Sequence, residues 1–130
     1  MKYKKGYKYK LAEDFIYEFN TPIEVDDIMA SYITMEKGAV LIWKGYAWDG
    51  ASGPAIDTDT FMRGSLVHDA LYQLMREGHL DISYRDWADR ELRAVCLEDG
   101  MSRIRAWWVY WVLRLFGEFA AKEGRKIWEI

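Results

Sequence analysis

The spacing of apolar residues changes near residue 48, from the two-residue alternation of β-strands to the three- and four-residue spacing of helices. Before that point, runs of β-forming residues are separated by turn residues, and residues 36–38 form the best hairpin turn. The runs lie at residues 7–9, 15–19, 31–35 and 39–43. Residues 1–48 are therefore predicted to form an antiparallel β meander of three to five strands.

Helical periodicity dominates the second half of the chain and predicts three helices. They are expected over residues 60–76, 84–98 and 102–121. The third is expected to be interrupted near Gly117. Gly78 and Gly100 follow the first two helices and suit their C-terminal caps. Ser83, with Asp86 three residues later, predicts a capping box at the start of the second helix, and we assign Asp86 to that cap.

A glycine-rich loop, residues 49–59, separates the strands from the helices. No repeat and no linker divides the chain, so residues 1–130 are expected to form one domain. In that domain the β meander (residues 1–48) is followed by the loop and by a three-helix part (residues 60–130), whose first two helices are antiparallel neighbours. The predicted fold class is α+β.

Composition and charge exclude several classes of protein. Hydrophobic residues make up 51% of the chain and charged residues 30%, which is typical of a globular domain. The net charge of −3 gives no basis for nucleic-acid binding, which needs a basic surface. The single cysteine, Cys96, excludes an intramolecular disulfide. No apolar run of signal-peptide length follows Met1, and residues 106–113 are too short a run to span a bilayer, so neither export nor a transmembrane helix is expected.

A group of polar residues interrupts the apolar faces of the first two helices. His68 and Tyr72 are four residues apart, so they are stacked neighbours on the first helix. Asp89 falls among the apolar positions of the second helix, where a carboxylate is rarely left unpaired, and its economical partner is His68. A carboxylate that fixes the tautomer of an imidazole also raises its basicity, as a general base requires. A purely structural hydrogen-bonded pair explains the same residues.

Asp69 lies about 100° around the helix from His68 and is expected to face the glycine-rich loop. Gly50 and Gly53 allow backbone carbonyls to turn inward, and Asp49 adds a second carboxylate. Carbonyl and carboxylate oxygens together are the ligands that Ca²⁺ prefers. We therefore predict a calcium site formed by these two carboxylates and by the backbone at Gly50 and Gly53.

The glycine-rich loop, the helix bearing His68, Asp69 and Tyr72, and the following antiparallel helix together resemble the catalytic core of phospholipase A2. The resemblance implies that His68 activates water and that Asp69 binds calcium together with loop carbonyls. It also implies that Tyr72 and Asp89 steady the imidazole. The activity that it implies is calcium-dependent hydrolysis of phospholipid esters.

Nearly the whole chain is also similar to a family of small proteins of tailed phages and prophages, DUF1353. Residues 48–54, 65–72, 88–90 and 114–117 carry this resemblance. It implies a phage or prophage origin and a place in the cytoplasm of an infected or lysogenic bacterium or in the virion, but no activity that can be transferred. The alternative to a hydrolase is therefore a non-enzymatic virion or host-interaction protein, with His68 and Asp89 as a structural staple between helices.

Large apolar residues crowd the third helix and are expected to lie mainly in the core. They are Trp107, Trp108, Tyr110, Trp111, Leu115, Phe116 and Phe119. Three arginines, Arg103, Arg105 and Arg114, flank them. Because this is more apolar surface than one helix face readily buries, part of it is a candidate contact with a lipid or membrane surface, with a second copy of the chain or with virion proteins.

Overall fold

The computed structural model describes residues 1–4, 9–48 and 59–128, with the side chains of residues 60–115 in the helical part. It confirms the α+β class, because strands occupy the first part of the chain and helices the second. The strands are β1 (Tyr3–Lys4), β2 (Tyr9–Leu11), β3 (Phe15–Glu18), β4 (Ile28–Ala30), β5 (Ile33–Glu36), β6 (Ala39–Ile42) and β7 (Ala47–Trp48). The helices are α1 (Asp59–Arg76), α2 (Arg85–Glu98) and α3 (Arg103–Trp128), and a short 3-10 turn, Ile82–Tyr84, precedes α2.

The described strands form two antiparallel sheets, with the orders β1-β2-β7 and β3-β6-β5-β4. β5 and β6 form the predicted hairpin, in which Glu36 pairs with Ala39 and Gly38 takes a positive φ of 91° in the turn. The strands are antiparallel as predicted, but they are more numerous than expected and β3 pairs with β6 rather than with β4. Strands of two to four residues show too short an alternation to reveal which of them pair. Of the run at residues 7–9, only Tyr9 lies within the described residues.

The core lies between the sheets and α1, and a smaller cluster lies between α2 and α3. An apolar stripe on α1 is buried throughout: Leu66, Val67, Ala70, Leu71 and Leu74. Side chains from β5 and β6 pack in the same cluster. Burying each large apolar side chain stabilises the fold by about 1.5–3 kcal/mol, so this stripe fixes which face of α1 turns away from solvent.

The first two helices run antiparallel, as predicted. Arg63, near the start of α1, donates to Asp99 just beyond α2 at 3.1 and 2.9 Å, whereas His68 contacts Asp89 in the first half of α2. Gly64 allows the helices to approach closely, because a Cβ there would lie only 2.7 Å from a side-chain carbon of α2. This close packing brings polar side chains of α1 within hydrogen-bonding reach of α2.

The start of α2 differs from the predicted capping box. Asp81 caps the 3-10 turn instead, because its carboxylate accepts a hydrogen bond from the backbone N–H of Ser83 at 2.8 Å. Tyr84 occupies the cap position of α2 without a side-chain hydrogen bond. Asp86 lies in the first turn of α2, but its carboxylate bonds to the side chains of Tyr110 and Arg90, so the predicted capping box with Ser83 is wrong.

The predicted helix ends are confirmed at two glycines. Gly78 and Gly100 follow α1 and α2 with positive φ of 80° and 100°, the left-handed conformation that suits a C-terminal cap. The third helix continues through Gly117 instead of being interrupted there. In the part of the chain that the structure describes, no helix has both the length and the apolar character needed to cross a membrane.

Candidate active site

Asp89 is the residue on which side chains of α1 converge. Its carboxylate has no solvent exposure, and its Oδ1 lies 2.7 Å from Nε2 of His68. The same oxygen accepts a hydrogen bond from the Tyr72 hydroxyl at 2.6 Å. The rings of His68 and Tyr72 are stacked with centroids 4.1 Å apart, as expected for residues four apart on a helix. The structure thus brings together the three residues that the sequence analysis grouped.

The hydrogen bonds of Asp89 determine how the histidine can act. An ionised carboxylate only accepts hydrogen bonds, so Nε2 of His68 must donate and the neutral ring then carries an acceptor lone pair on Nδ1. No side chain among the described residues is hydrogen-bonded to Nδ1. Burial, followed by the charge and hydrogen bond of Asp89, raises the pKa of Tyr72, so this hydroxyl remains a donor. A neutral His68 held in this way has a defined proton-accepting atom.

Two arginines occupy the other side of the same carboxylate. Arg114 of α3 donates from Nη1 to Oδ2 of Asp89 at 3.1 Å, and Nη1 of Arg85 lies 3.9 Å from that oxygen. Arg85 also donates to the carbonyl of Leu113 at 3.3 Å, which ties the start of α2 to α3. These cations offset the desolvation of a fully buried carboxylate. Residues from all three helices therefore meet at Asp89.

Sequence reasoning missed both arginines. Arg85 precedes Asp89 by four residues, a spacing at which oppositely charged residues meet on a helix. Arg114 was treated as a flanking charge of the apolar stripe on α3, and only the packing of α3 on α2 brings it to Asp89. The available signal was physical: a carboxylate expected in the core needs a cation as well as a hydrogen-bond donor.

Asp86 extends this network toward the surface. Its carboxylate accepts a hydrogen bond from the Tyr110 hydroxyl at 2.6 Å and pairs with Arg90 at 3.0 Å. Nε of Arg114 lies 3.6 Å from it, so one guanidinium contacts the carboxylates of both Asp86 and Asp89. Asp86 therefore links α2 to α3.

Asp69 faces away from this network and toward Tyr46, in the segment that leads into the glycine-rich loop; the loop itself, which Asp69 was predicted to face, lies outside the described residues. Burial first, and then the charge and hydrogen bonding of Asp69, raise the pKa of the Tyr46 hydroxyl. Tyr46 also donates to Gln73 of α1 at 3.1 Å. Two residues later, Trp48 donates from Nε1 to Ser65 at 3.0 Å. The chain that enters the loop is thus anchored to α1 on both sides of His68.

Of the four residues in the predicted calcium site, only Asp69 lies within the described residues. Asp49, Gly50 and Gly53 lie outside the described residues. Within the described ranges, no group of three or more His, Cys, Asp or Glu side chains is arranged to hold a metal ion. Asp69 supplies one half-buried carboxylate, which suits an oxygen-ligated cation but does not complete a site.

A second buried acid is structural. Glu91 accepts hydrogen bonds from the Tyr17 hydroxyl at 2.6 Å and from the backbone N–H groups of Asn20 and Thr21 at 3.0 and 2.7 Å. It therefore anchors α2 to the segment after β3. The sequence analysis did not single it out, because its burial depends on the segment after β3, which only the fold brings to α2.

The second histidine and the single cysteine take no part in the site. His79 lies 4.0 Å from Glu77 and is well exposed. Cys96 is buried and fills space in the core as a small apolar residue.

The apolar stripe on α3 divides into two faces. Ala106 and Val109 are buried in the cluster between α2 and α3. The expectation that the large residues lie mainly in the core is wrong for Trp107, Trp108, Trp111 and Leu115, which are exposed. Tyr110 is partly buried and bonded to Asp86, whereas the side chains of Phe116 and Phe119 are outside those described.

Comparison of the chain with protein-family models, with curated proteins and with solved structures finds no match.

Proposed function

We propose that this chain is a phage- or prophage-encoded hydrolase that cleaves phospholipid esters in a calcium-dependent reaction, with His68 as the general base. The observation that carries the proposal is the arrangement at Asp89, whose Oδ1 accepts hydrogen bonds from both His68 and Tyr72. The phage origin rests on the similarity of sequence segments to DUF1353. The substrate class rests on the resemblance to phospholipase A2.

In this proposal His68 performs the proton transfers. Its Nδ1 takes a proton from a water molecule, whose oxygen attacks the ester carbonyl carbon. Asp89 stabilises the imidazolium that forms, and Tyr72 holds the carboxylate in place. The ester C–O bond then breaks, and the proton on Nδ1 passes to the leaving alkoxide, which yields a fatty acid and a lysophospholipid. Bound calcium, held by Asp69 and by loop oxygens at Asp49, Gly50 and Gly53, would supply positive charge to the carbonyl oxygen.

Fatty-acid release from phospholipid vesicles tests the proposal. We would compare the wild type with His68→Gln, whose amide N–H can still donate to Asp89 but whose side chain cannot act as a base. His79→Gln is the matched control, because it removes the other, exposed histidine. We expect calcium-dependent release that falls by about 10²-fold or more in His68→Gln and is unchanged in His79→Gln. Absence of release by a wild type that also binds no calcium in calorimetry contradicts the proposal.

One observation favours a second function, a non-enzymatic phage protein in which the same residues are a structural staple. Arg114 and Arg85 contact Asp89 at Oδ2, so the carboxylate joins side chains of all three helices, as a structural staple would. In that case His68→Gln would lose phage fitness only in proportion to its loss of thermal stability. A fitness loss without a change in melting temperature would instead support the catalytic role.

A further inference from the structure

The exposed side of α3 carries a continuous apolar face, which we call the tryptophan face. Its residues and their exposed fractions are Ile104 82%, Trp107 53%, Trp108 41%, Trp111 47% and Leu115 72%. The spacing of three, four, seven and eleven residues from Ile104 places all five on one side of a helix. The buried residues Ala106 and Val109 lie on the opposite side of the same helix. Packing of the fold therefore leaves the tryptophan face uncovered within the described chain.

The size of this face sets it apart from scattered surface hydrophobics. About half of each of three tryptophan side chains and most of Ile104 and Leu115 are exposed, on the order of 500 Å² of apolar surface. Contiguous patches of about 300–600 Å² are the largest that ordinary monomers expose, and they often mark interaction sites.

Positive charge accompanies the tryptophan face. The segment from Arg103 to Leu115 contains three arginines and no acidic residue, although the whole chain has a net charge of −3. Arg103 is exposed, and Arg93 of α2 lies over the Tyr110 ring at 5.8 Å, beside α3. The charge of the protein is thus segregated, with a cationic and aromatic surface on one helix.

The exposed tryptophans and the neighbouring arginines together indicate what kind of partner binds the tryptophan face. Tryptophan rings with one apolar and one hydrated edge, flanked by arginines, suit the headgroup region of a membrane. A two-fold contact between copies would place the same acid-free, arginine-bearing surface on both sides, where it finds no opposite charge. Anionic headgroups supply that charge.

We propose that the tryptophan face binds an anionic phospholipid surface, with Trp107, Trp108 and Trp111 inserted at the headgroup level and with Arg93 and Arg103 near the phosphates. The binding requires no catalysis and holds whether or not His68 is a base. The tryptophan face and the candidate active site adjoin at Arg114, which contacts Asp89 and directly precedes Leu115 in the sequence.

Binding to ether-linked phospholipid vesicles tests this proposal separately from hydrolysis, because ether lipids contain no ester to cleave. We would measure co-sedimentation and the tryptophan emission shift with phosphatidylcholine vesicles that contain or lack phosphatidylglycerol. The test variant is Trp107→Gln with Trp111→Gln. The matched control is Trp43→Gln, which removes a tryptophan of similar exposure, 42%, just after β6. Arg103→Gln reports the electrostatic contribution.

We expect the wild type to bind anionic vesicles at least about tenfold more tightly than neutral ones, with a blue-shifted emission. The double variant should lose about tenfold or more of this affinity, Arg103→Gln should lose severalfold, and Trp43→Gln should bind as the wild type does. Failure of the wild type to bind anionic vesicles, or equal binding by the folded double variant, overturns the proposal. A wild-type dimer in light scattering that becomes monomeric in the double variant assigns the face to a second copy and also overturns it.

Discussion

Replacing Asp89 with asparagine removes the charge on which three side chains depend. The carboxylate is fully buried and accepts hydrogen bonds from His68, Tyr72 and Arg114. Breaking a buried charge pair by removing one partner costs about 3–5 kcal/mol. We expect about 3 kcal/mol here, because Arg114 is partly exposed and can be rehydrated. This is a large share of the roughly 5–15 kcal/mol that stabilises a domain of this kind.

Urea denaturation followed by circular dichroism measures this loss. With a slope of roughly 1.5 kcal/mol/M, the midpoint of Asp89→Asn should fall by about 2 M. Asp86→Asn is the matched control: the same change three residues earlier, at a carboxylate that is 39% exposed, should cost about 1 kcal/mol or less. If the two variants lose equal stability, Asp89 does not hold the three helices together and the reasoning fails.

Three further predictions concern alkaline pH, the cysteine and the helix contact. Burial raises the pKa of Tyr46 and Tyr72 above the ordinary 10.0, so the stability that each contributes should be complete below about pH 10 and should decline above it by about 1.4 kcal/mol per pH unit. In urea titrations at alkaline pH, the Phe variant at either position should lose stability less steeply with pH than the wild type, and an equally steep loss would refute this. Burial raises the pKa of the Cys96 thiol to about 12, so a thiol reagent should label it only as fast as the chain unfolds, and rapid labelling in native buffer would contradict its burial. Gly64→Ala places a Cβ 2.7 Å from a side-chain carbon of Leu92 and should lower the free energy of unfolding, measured in urea titrations, by about 1–3 kcal/mol. An unchanged free energy of unfolding would show that α1 and α2 can move apart at this contact without cost.

The helical half of the fold was largely predictable because its signals are local. Apolar spacing located α1 and α2 to within a residue at most ends, and glycines marked where both helices stop. Asp89 could be assigned to His68 because a carboxylate among core positions needs a partner and only one neighbouring helix offered an imidazole. That inference used burial rather than any family pattern.

The parts that were not predictable depend on tertiary packing. Arg114 reaches Asp89 only because α3 crosses α2, and Glu91 is buried only because the segment after β3 folds over it. Strands as short as β1 and β7 carry no pattern that selects their partners. On α3 both sides are apolar, so periodicity alone did not indicate which side would pack and which would remain exposed.

The central claim is that Asp89 holds His68 with Nε2 protonated and Nδ1 as the proton acceptor. Long-range ¹H–¹⁵N spectra of the imidazole nitrogens test it directly, and the chain has two histidines, so His79→Gln leaves one ring to assign. For the neutral ring, we predict a single Nε2–H tautomer in this variant that becomes a tautomer mixture when Asp89→Asn is added. An Nδ1–H tautomer, or a ring whose spectrum is unaffected by Asp89→Asn, would contradict the account.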